Sequence, residues 1–244
     1  MFRSRIKHSL RPDLKAASQS DCMGVLSAIT CESLTCSRSD WNHSGPGHVG
    51  DFSATFQAGE FVGFCGEDGC GKGLLLNVLG LIEKADSGRL VVLGHDAAEF
   101  SAEDISTFRN EACGFLFRHP YLLPSFTIAE NVAMPLFRIC GGGAVEARAR
   151  TREVLEFAGI GACETVSAGK PDPELRWRAA FARALVHAPR ILIAISPPAP
   201  GLLPFAKRAA ETYGLTVLWA GDRESLAPHA DRILEMRNGR VVEK

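Results

Sequence analysis

The apolar positions of this chain alternate between two kinds of pattern along its length. Short, nearly continuous apolar runs occur as FVGFC (61–65), CGFLF (113–117), RILIAIS (190–196) and LTVLWA (215–220). Runs of this length bounded by polar residues read as strands, and the last two read as strands buried on both faces of a parallel sheet. Between them lie helical signatures. LLLNVLGLIEK (74–84) is apolar nearly all round and predicts a buried helix. Residues 101–110 predict a polar helix, AVEARARTREVLEFA (144–158) a charged amphipathic one, and ELRWRAAFARALVHAP (174–189) another. SGRLVVLG (87–94) adds a strand. Residues 23–60 read as short edge strands around a polar, glycine-rich loop, SRSDWNHSGPGHVGD. The C-terminal RILEMRNGRVVEK carries a hairpin turn at Asn238-Gly239. The strand–helix alternation predicts an α/β fold with a mostly parallel central sheet.

Bulk properties narrow this picture. A chain of 244 residues with 46% hydrophobic content can bury one large core, with room for a subdomain. A net charge of −1 supplies no basic field for nucleic acid or an anionic membrane. The longest apolar runs are of core-strand length and too short to span a bilayer, so any membrane connection is expected to pass through a partner. The eight cysteines form no C-x-x-C pair, and the spacings Cys31/Cys36 and Cys65/Cys70 fit no zinc pattern; they read as reduced thiols. Cys70, beside a predicted helix N-terminus, leaves a reactive thiol open. FRSRIKHSLRPDLK, with five basic residues and one acid, marks residues 1–22 as a disordered basic lead. Pro12 interrupts any surface or targeting helix there, and Met23 is an alternative start.

The strongest local signal is GEDGCGKG at 66–73, directly between the strand FVGFC and the buried helix. Through Gly66, Gly71 and Lys72 it fits the phosphate-binding pattern G-x-x-x-x-G-K-[ST] in the strand–loop–helix context that pattern requires. Gly73 replaces the hydroxyl residue that normally holds a magnesium ion. The variable positions include Glu67, Asp68, Gly69 and Cys70. Carboxylates at Glu67 and Asp68 would repel a triphosphate by on the order of 1 kcal/mol each, unless they turn outward to solvent.

SGRLVVLGHD, GFLFRHPYLLPSFTIAENVAMPL, FARALVHAPRILIA and ADRILEMRNGRVV, in that order after the loop, resemble the nucleotide-binding subunits of ABC transporters. The likeness is nearest to the lipoprotein-releasing and macrolide-exporter type and runs from about residue 24 to the C-terminus. It implies a P-loop NTPase fold at 23–244, with an N-terminal antiparallel β region and an inserted α-helical subdomain at about 118–175. It also implies ATP as ligand, a transmembrane permease subunit as partner, and pairing with a second nucleotide-binding subunit, either an intact homologue or another copy. The expected location is cytoplasmic, peripheral at the inner face of the membrane through that partner. No nucleic acid is expected.

Motif by motif, the chain departs from that family at its reactive positions. Arg118 stands for the glutamine that follows the GFxF strand. Ile195 and Ser196 stand where the metal-binding Asp and the catalytic Glu belong; isoleucine offers no oxygen to a metal, and serine has little basicity near neutral pH. Gly221 stands for the histidine that meets the γ-phosphate. Counting back from ARAL places PDPEL (171–175) at the Ser-Gly-Gly signature, so that Asp172 would cap a helix beginning at Pro173; a deletion, or VSAGK (166–170) as a remnant, are the alternatives. Losses falling together on reactive positions of an intact scaffold are expected to remove hydrolysis.

The site expected to remain is Gly66, Glu67, Asp68, Gly69, Cys70, Gly71, Lys72, Gly73 and Arg118, holding ATP without a bound metal. No residue is put forward as catalytic or metal-ligating. Arg118 either supplies missing positive charge, or is a surface arginine or a salt-bridge partner of Glu67 or Asp68, and Trp41 either stacks on adenine or packs on the core. Two other readings stay open: a structural subunit that binds no nucleotide, and an ATPase using unconventional carboxylates such as Asp172 or Asp222.

Overall fold

The computed structural model describes residues 27–38, 47–139, 144–169 and 172–242. Residues 1–22, Met23 and Trp41 lie outside the described residues, so the expectations placed on them are not addressed. The described residues open with two long antiparallel strands, β1 (Ser27–Arg38) and β2 (Gly47–Gln57). β3 (Phe61–Cys65) runs into helix α1 (Lys72–Leu79). β4 (Ser87–Val92), β5 (His95–Asp96), α2 (Ala102–Ala112) and β6 (Cys113–Leu116) follow. Then come α3 (Ile128–Ile139), α4 (Ala144–Phe157) and α5 (Pro173–Leu185). The remainder is β7 (Ile191–Ala194), α6 (Leu203–Tyr213), β8 (Thr216–Ala220), the single turn α7 (Arg223–Leu226), β9 (Arg232–Arg237) and β10 (Arg240–Val242).

These elements form two sheets. One is antiparallel, in the order β2-β1-β4-β5; the other is ordered β10-β9-β3-β8-β7-β6 and is parallel except for its terminal β10–β9 hairpin. The continuous apolar runs arise because the six-stranded sheet is covered on both sides. Along β7, Leu192 and Ala194 join one core while Ile191 and Ile193 join the other. β8 divides likewise, with Val217 and Trp219 on the helical side and Leu218 and Ala220 facing α1 and the antiparallel sheet. α1 therefore lies between the two sheets, which is why it is apolar all round: Leu74, Leu75, Leu76, Val78 and Leu79 are all buried.

Two expectations need correction. The predicted short edge strands are strands of twelve and eleven residues, and β1 is an interior strand of its sheet. The GHVGD segment assigned to a loop belongs to β2, where Val49, Phe52 and Phe56 turn a buried face inward. Gly47 is a strand residue because β2 passes close to α1; a Cβ there would stand 3.3 Å from Leu74 Cβ. The buried helix is also shorter than its apolar pattern. It stops at Leu79 because Gly80 caps it and packs on β6 and β7, where a Cβ would lie 2.7 Å from Ile193 Cδ1.

α3, α4 and α5 pack on one another beside the sheet edge formed by β6, sharing a core that includes Ile128, Val132, Leu155 and Phe181. The start of α3 is a reciprocal cap: Thr127 N–H donates to Glu130 Oε2 at 2.8 Å, and Glu130 N–H to Thr127 Oγ1 at 3.2 Å. α5 begins as expected from PDPEL. Asp172 accepts from Leu175 N–H at 2.9 Å and Pro173 occupies the first turn.

Candidate functional site

The site grows from the turn between β3 and α1. Gly66, Gly69 and Gly71 all have positive φ, and at two of them only glycine fits. A Cβ at Gly66 would stand 2.3 Å from the Met236 carbonyl oxygen, and one at Gly71 2.4 Å from that of His48. The loop is thus laid against the main chain of β9 and of β2. The hairpin turn braces it further, as Gly239 N–H donates to Cys70 O and Gly50 N–H to Gly239 O, both at 3.0 Å. These floor contacts come from strands remote in sequence, and only the NG turn gave any signal of them.

α1 starts at Lys72 with Gly71 as its N-cap, no side-chain capping bond and no acid in its first turn. That arrangement aims main-chain N–H groups and the positive helix end at the space above the loop. Lys72 is buried, and its Nζ donates to Gly66 O at 2.8 Å and Glu67 O at 3.0 Å. The ammonium is held under the loop by carbonyls, where it can redirect donors to a phosphate.

A small hollow lies beside Lys72, lined by Asp68, Gly69, Gly71, Gly73, Arg118 and the pair Ile195–Ser196 among others. Chain segments far apart in sequence meet here. Arg118 follows β6; Ile195 and Ser196 follow β7, with Ile195 N–H donating to Leu116 O at 2.7 Å. Ser196 has φ 48°, so the chain leaves β7 through a left-handed residue. Gly66, Glu67 and Cys70 complete the loop without lining the hollow. Gly221 does not line it either; its N–H donates to Phe64 O at 3.0 Å at the end of β8.

The acids divide between exposed and engaged. Glu67 and Asp68 are both solvent-exposed, but Asp68 does not turn away from the site: it lines the hollow. Asp68 Oδ1 lies 3.7 Å from Lys72 Nζ and Oδ2 lies 3.4 Å from Arg118 NH2, so the salt-bridge alternative for Arg118 is the one seen, with Asp68 as partner. Asp172 and Asp222, the other carboxylates considered, cap α5 and α7 at 2.9 Å and 2.8 Å. The N–H bond from Ser225 holds the Asp222 carboxyl below its ordinary range. Neither lines the hollow.

The donor set suits phosphate better than a divalent ion. Main-chain amides, Lys72 and Arg118 are anion-binding groups. Facing them, Ile195 offers no oxygen, Gly73 no side chain and Ser196 a single hydroxyl, while Asp68 is already shared by two cations. Burial drives the thiols of Cys31 and Cys113 up to about 12 and that of Cys36 to about 11, so these are inert core groups. Cys70 is buried as well.

Two residues outside the sequence-based site hold its rim. Arg183 of α5 donates to Tyr121 O at 2.7 Å and Pro120 O at 2.6 Å, clamping the segment that carries Arg118. Asn131, fully buried, accepts from Leu123 N–H at 2.7 Å and donates to Leu123 O and Thr127 O. Both lie within the ARAL and ENV stretches singled out by pattern, but their partners are main-chain groups that no pattern displays.

Comparison with known proteins follows the same lines. The family model described as ABC transporter matches residues 49–197. The lipoprotein-releasing system ATP-binding protein LolD of Bordetella pertussis is 36% identical over 207 residues, spanning 81% of this chain and 89% of that protein. LolD of Anaeromyxobacter dehalogenans is 33% identical over 195 residues, spanning 77% and 82%. The macrolide export ATP-binding/permease protein MacB of Neisseria meningitidis serogroup B is 30% identical over 200 residues, 79% of this chain but 31% of that longer protein. Among solved structures, a dimeric bacterial ABC transporter cassette superposes with a TM-score of 0.78 at 24% identity, covering 88% of this chain and 97% of that one. At that identity the likeness speaks for the fold alone.

Proposed function

This chain belongs to the ABC transporter family, and we propose that it is a nucleotide-binding subunit of lipoprotein-releasing or macrolide-exporter type in which hydrolysis has been lost. The observation that carries the reading is the composition of one hollow. Gly73, Arg118, Ile195 and Ser196, which depart from the family pattern in three separate motifs, line the same space beside Lys72. A site with its phosphate donors retained and its metal and base positions replaced can hold a polyphosphate, and lacks the groups that would activate water. Its residues would be Gly66, Glu67, Asp68, Gly69, Cys70, Gly71, Lys72, Gly73 and Arg118. When ATP is bound, the loop amides and Lys72 would carry the phosphates and Arg118 would offset charge that a metal offsets elsewhere.

The surrounding architecture supports the rest of the proposal. The nucleotide-binding domain would occupy 23–244, with 118–175 as its helical subdomain. Tyr121, Leu123, Phe126, Met134 and Phe137 are exposed apolar residues of that region, Phe137 at 71%. They offer a surface for a transmembrane permease subunit, which would hold the chain at the inner face of the membrane and determine the transported substrate. A second nucleotide-binding subunit, an intact homologue or another copy, would complete the pair. Among the described residues no helix is long and apolar enough to cross a membrane.

Titration of the purified chain with ATP, with and without magnesium, alongside phosphate release, tests this. Binding that does not require magnesium, with turnover at background, is the expected outcome. Turnover that Lys72→Ala abolishes would overturn the loss of hydrolysis. A second reading, a structural subunit without nucleotide, is favoured by the Asp68 carboxylate already lying against Lys72 and Arg118; absence of ATP binding under all conditions would establish it.

A further inference from the structure

Asp68 is the residue that a polyphosphate pocket leaves unexplained. Its side chain is 84% exposed, so no packing demand places an acid there. Yet its two oxygens reach cations arriving from different parts of the fold, Lys72 at the start of α1 and Arg118 after β6. The carboxylate bridges them at the hollow that Gly73 and Ser196 also line. With Asp68 open to solvent, its two contacts at 3.4–3.7 Å contribute little to stability. Its effect is local: the two side-chain cations facing an incoming phosphate already share one negative charge.

From this geometry we infer that Asp68 is a displaceable internal anion, and that the pocket selects a nucleoside triphosphate free of metal. This rests on the nucleotide-binding reading above. Binding exchanges Arg118 and Lys72 from the Asp68 carboxylate to phosphate oxygens, and the carboxylate turns to solvent. The exchange is driven by the larger charge of the incoming anion. A bound divalent ion cancels much of that charge, while Gly73 and Ile195 give the ion nothing in return. Asp68 thereby excludes weakly charged anions and metal complexes and admits the bare polyphosphate. No covalent step is involved.

Calorimetric titration of the full chain with ATP in EDTA at low salt tests the exchange, using wild type, Asp68→Asn, Arg118→Gln and the double variant. Asp68→Asn is expected to tighten binding about tenfold by removing one facing charge. Arg118→Gln is expected to weaken it about tenfold, and in that background the Asp68→Asn gain should fall to about threefold or less, since one of the two shared partners is gone. Binding to Asp68→Asn alone, with none to wild type, would make Asp68 a fixed block instead of a displaceable anion and would overturn the inference. Four further results would overturn it while leaving nucleotide binding intact. These are an unchanged affinity for Asp68→Asn, an undiminished gain in the double variant, an equal gain from Glu67→Gln, and tighter wild-type binding on adding magnesium. ATP binding by none of the four chains would overturn the nucleotide reading itself, and the inference with it.

Discussion

At the residue scale, the chemistry of this protein is decided by which polar groups are left with partners. His187 shows the opposite case from Lys72. Its Nε2 meets Cys113 O at 3.1 Å, while Nδ1 is buried without a hydrogen-bond partner. Burial drives its pKa down to about 4 from the usual 6.5, so the folded protein holds this ring neutral. Between pH 6.5 and 4 the unfolded chain takes up a proton that the folded one refuses. Stability is therefore full above pH 6.5 and falls as the pH drops through that window, by up to about 3 kcal/mol. Urea unfolding at pH 7.5 and 5.0 checks this; His187→Gln should flatten the difference, and an equal fall in the variant would remove His187 as its source. The residues carrying the motif departures were legible in the sequence because each stands at a fixed offset from a recognisable segment. The partner of Arg118 was not: Glu67 and Asp68 are adjacent, and only the loop's path decides which one the guanidinium meets.

At the element scale, caps and turns were the most legible features. Asp172-Pro173 and Asn238-Gly239 each use contacts within a few residues, so local sequence contains the whole interaction; the Thr127–Glu130 cap is equally local but went unread. Element lengths were less legible where one helix or strand meets another. α1 ends at Gly80 because β6 and β7 press on it, and β2 runs through glycines because α1 lies close. Asn131 belongs to this scale as well. It replaces the missing ladder for the segment before α3 by satisfying both main-chain groups of Leu123. Asn131→Ala should leave the Leu123 N–H without its partner, while Leu123 O keeps its bond from Phe126 N–H at 3.2 Å, and cost about 2 kcal/mol in urea unfolding, with amide exchange accelerated near Leu123. A cost below about 1 kcal/mol would mean that water restores the bonds.

At the scale of the whole molecule, the site depends on holding two sheets and a hairpin in register. Arg232, at the start of β9, ties these parts together. It pairs with Glu60 at 2.5 Å just before β3, donates to Thr55 O of β2 at 2.6 Å and lies 5.3 Å over the Phe56 ring. Arg232→Ala should cost about 2 kcal/mol through lost bonds and lost packing, and Arg232→Lys should recover less than half of it. Chemical denaturation of the three proteins measures both; full recovery by lysine would reduce the contact to a simple charge pair. Sequence by itself determined the α/β class, the glycine loop on its strand and helix and the Asp172 cap, because each rests on short-range periodicity or on spacing within one segment; the family came from the resemblance of four segments in a fixed order. Only the tertiary structure decided that Gly73, Arg118, Ile195 and Ser196 share a hollow while Gly221 stands apart, and that Asp68 bridges Lys72 and Arg118. Those relations join strand ends brought side by side by parallel pairing, and a crossover connection leaves no trace of its neighbour in the sequence it spans.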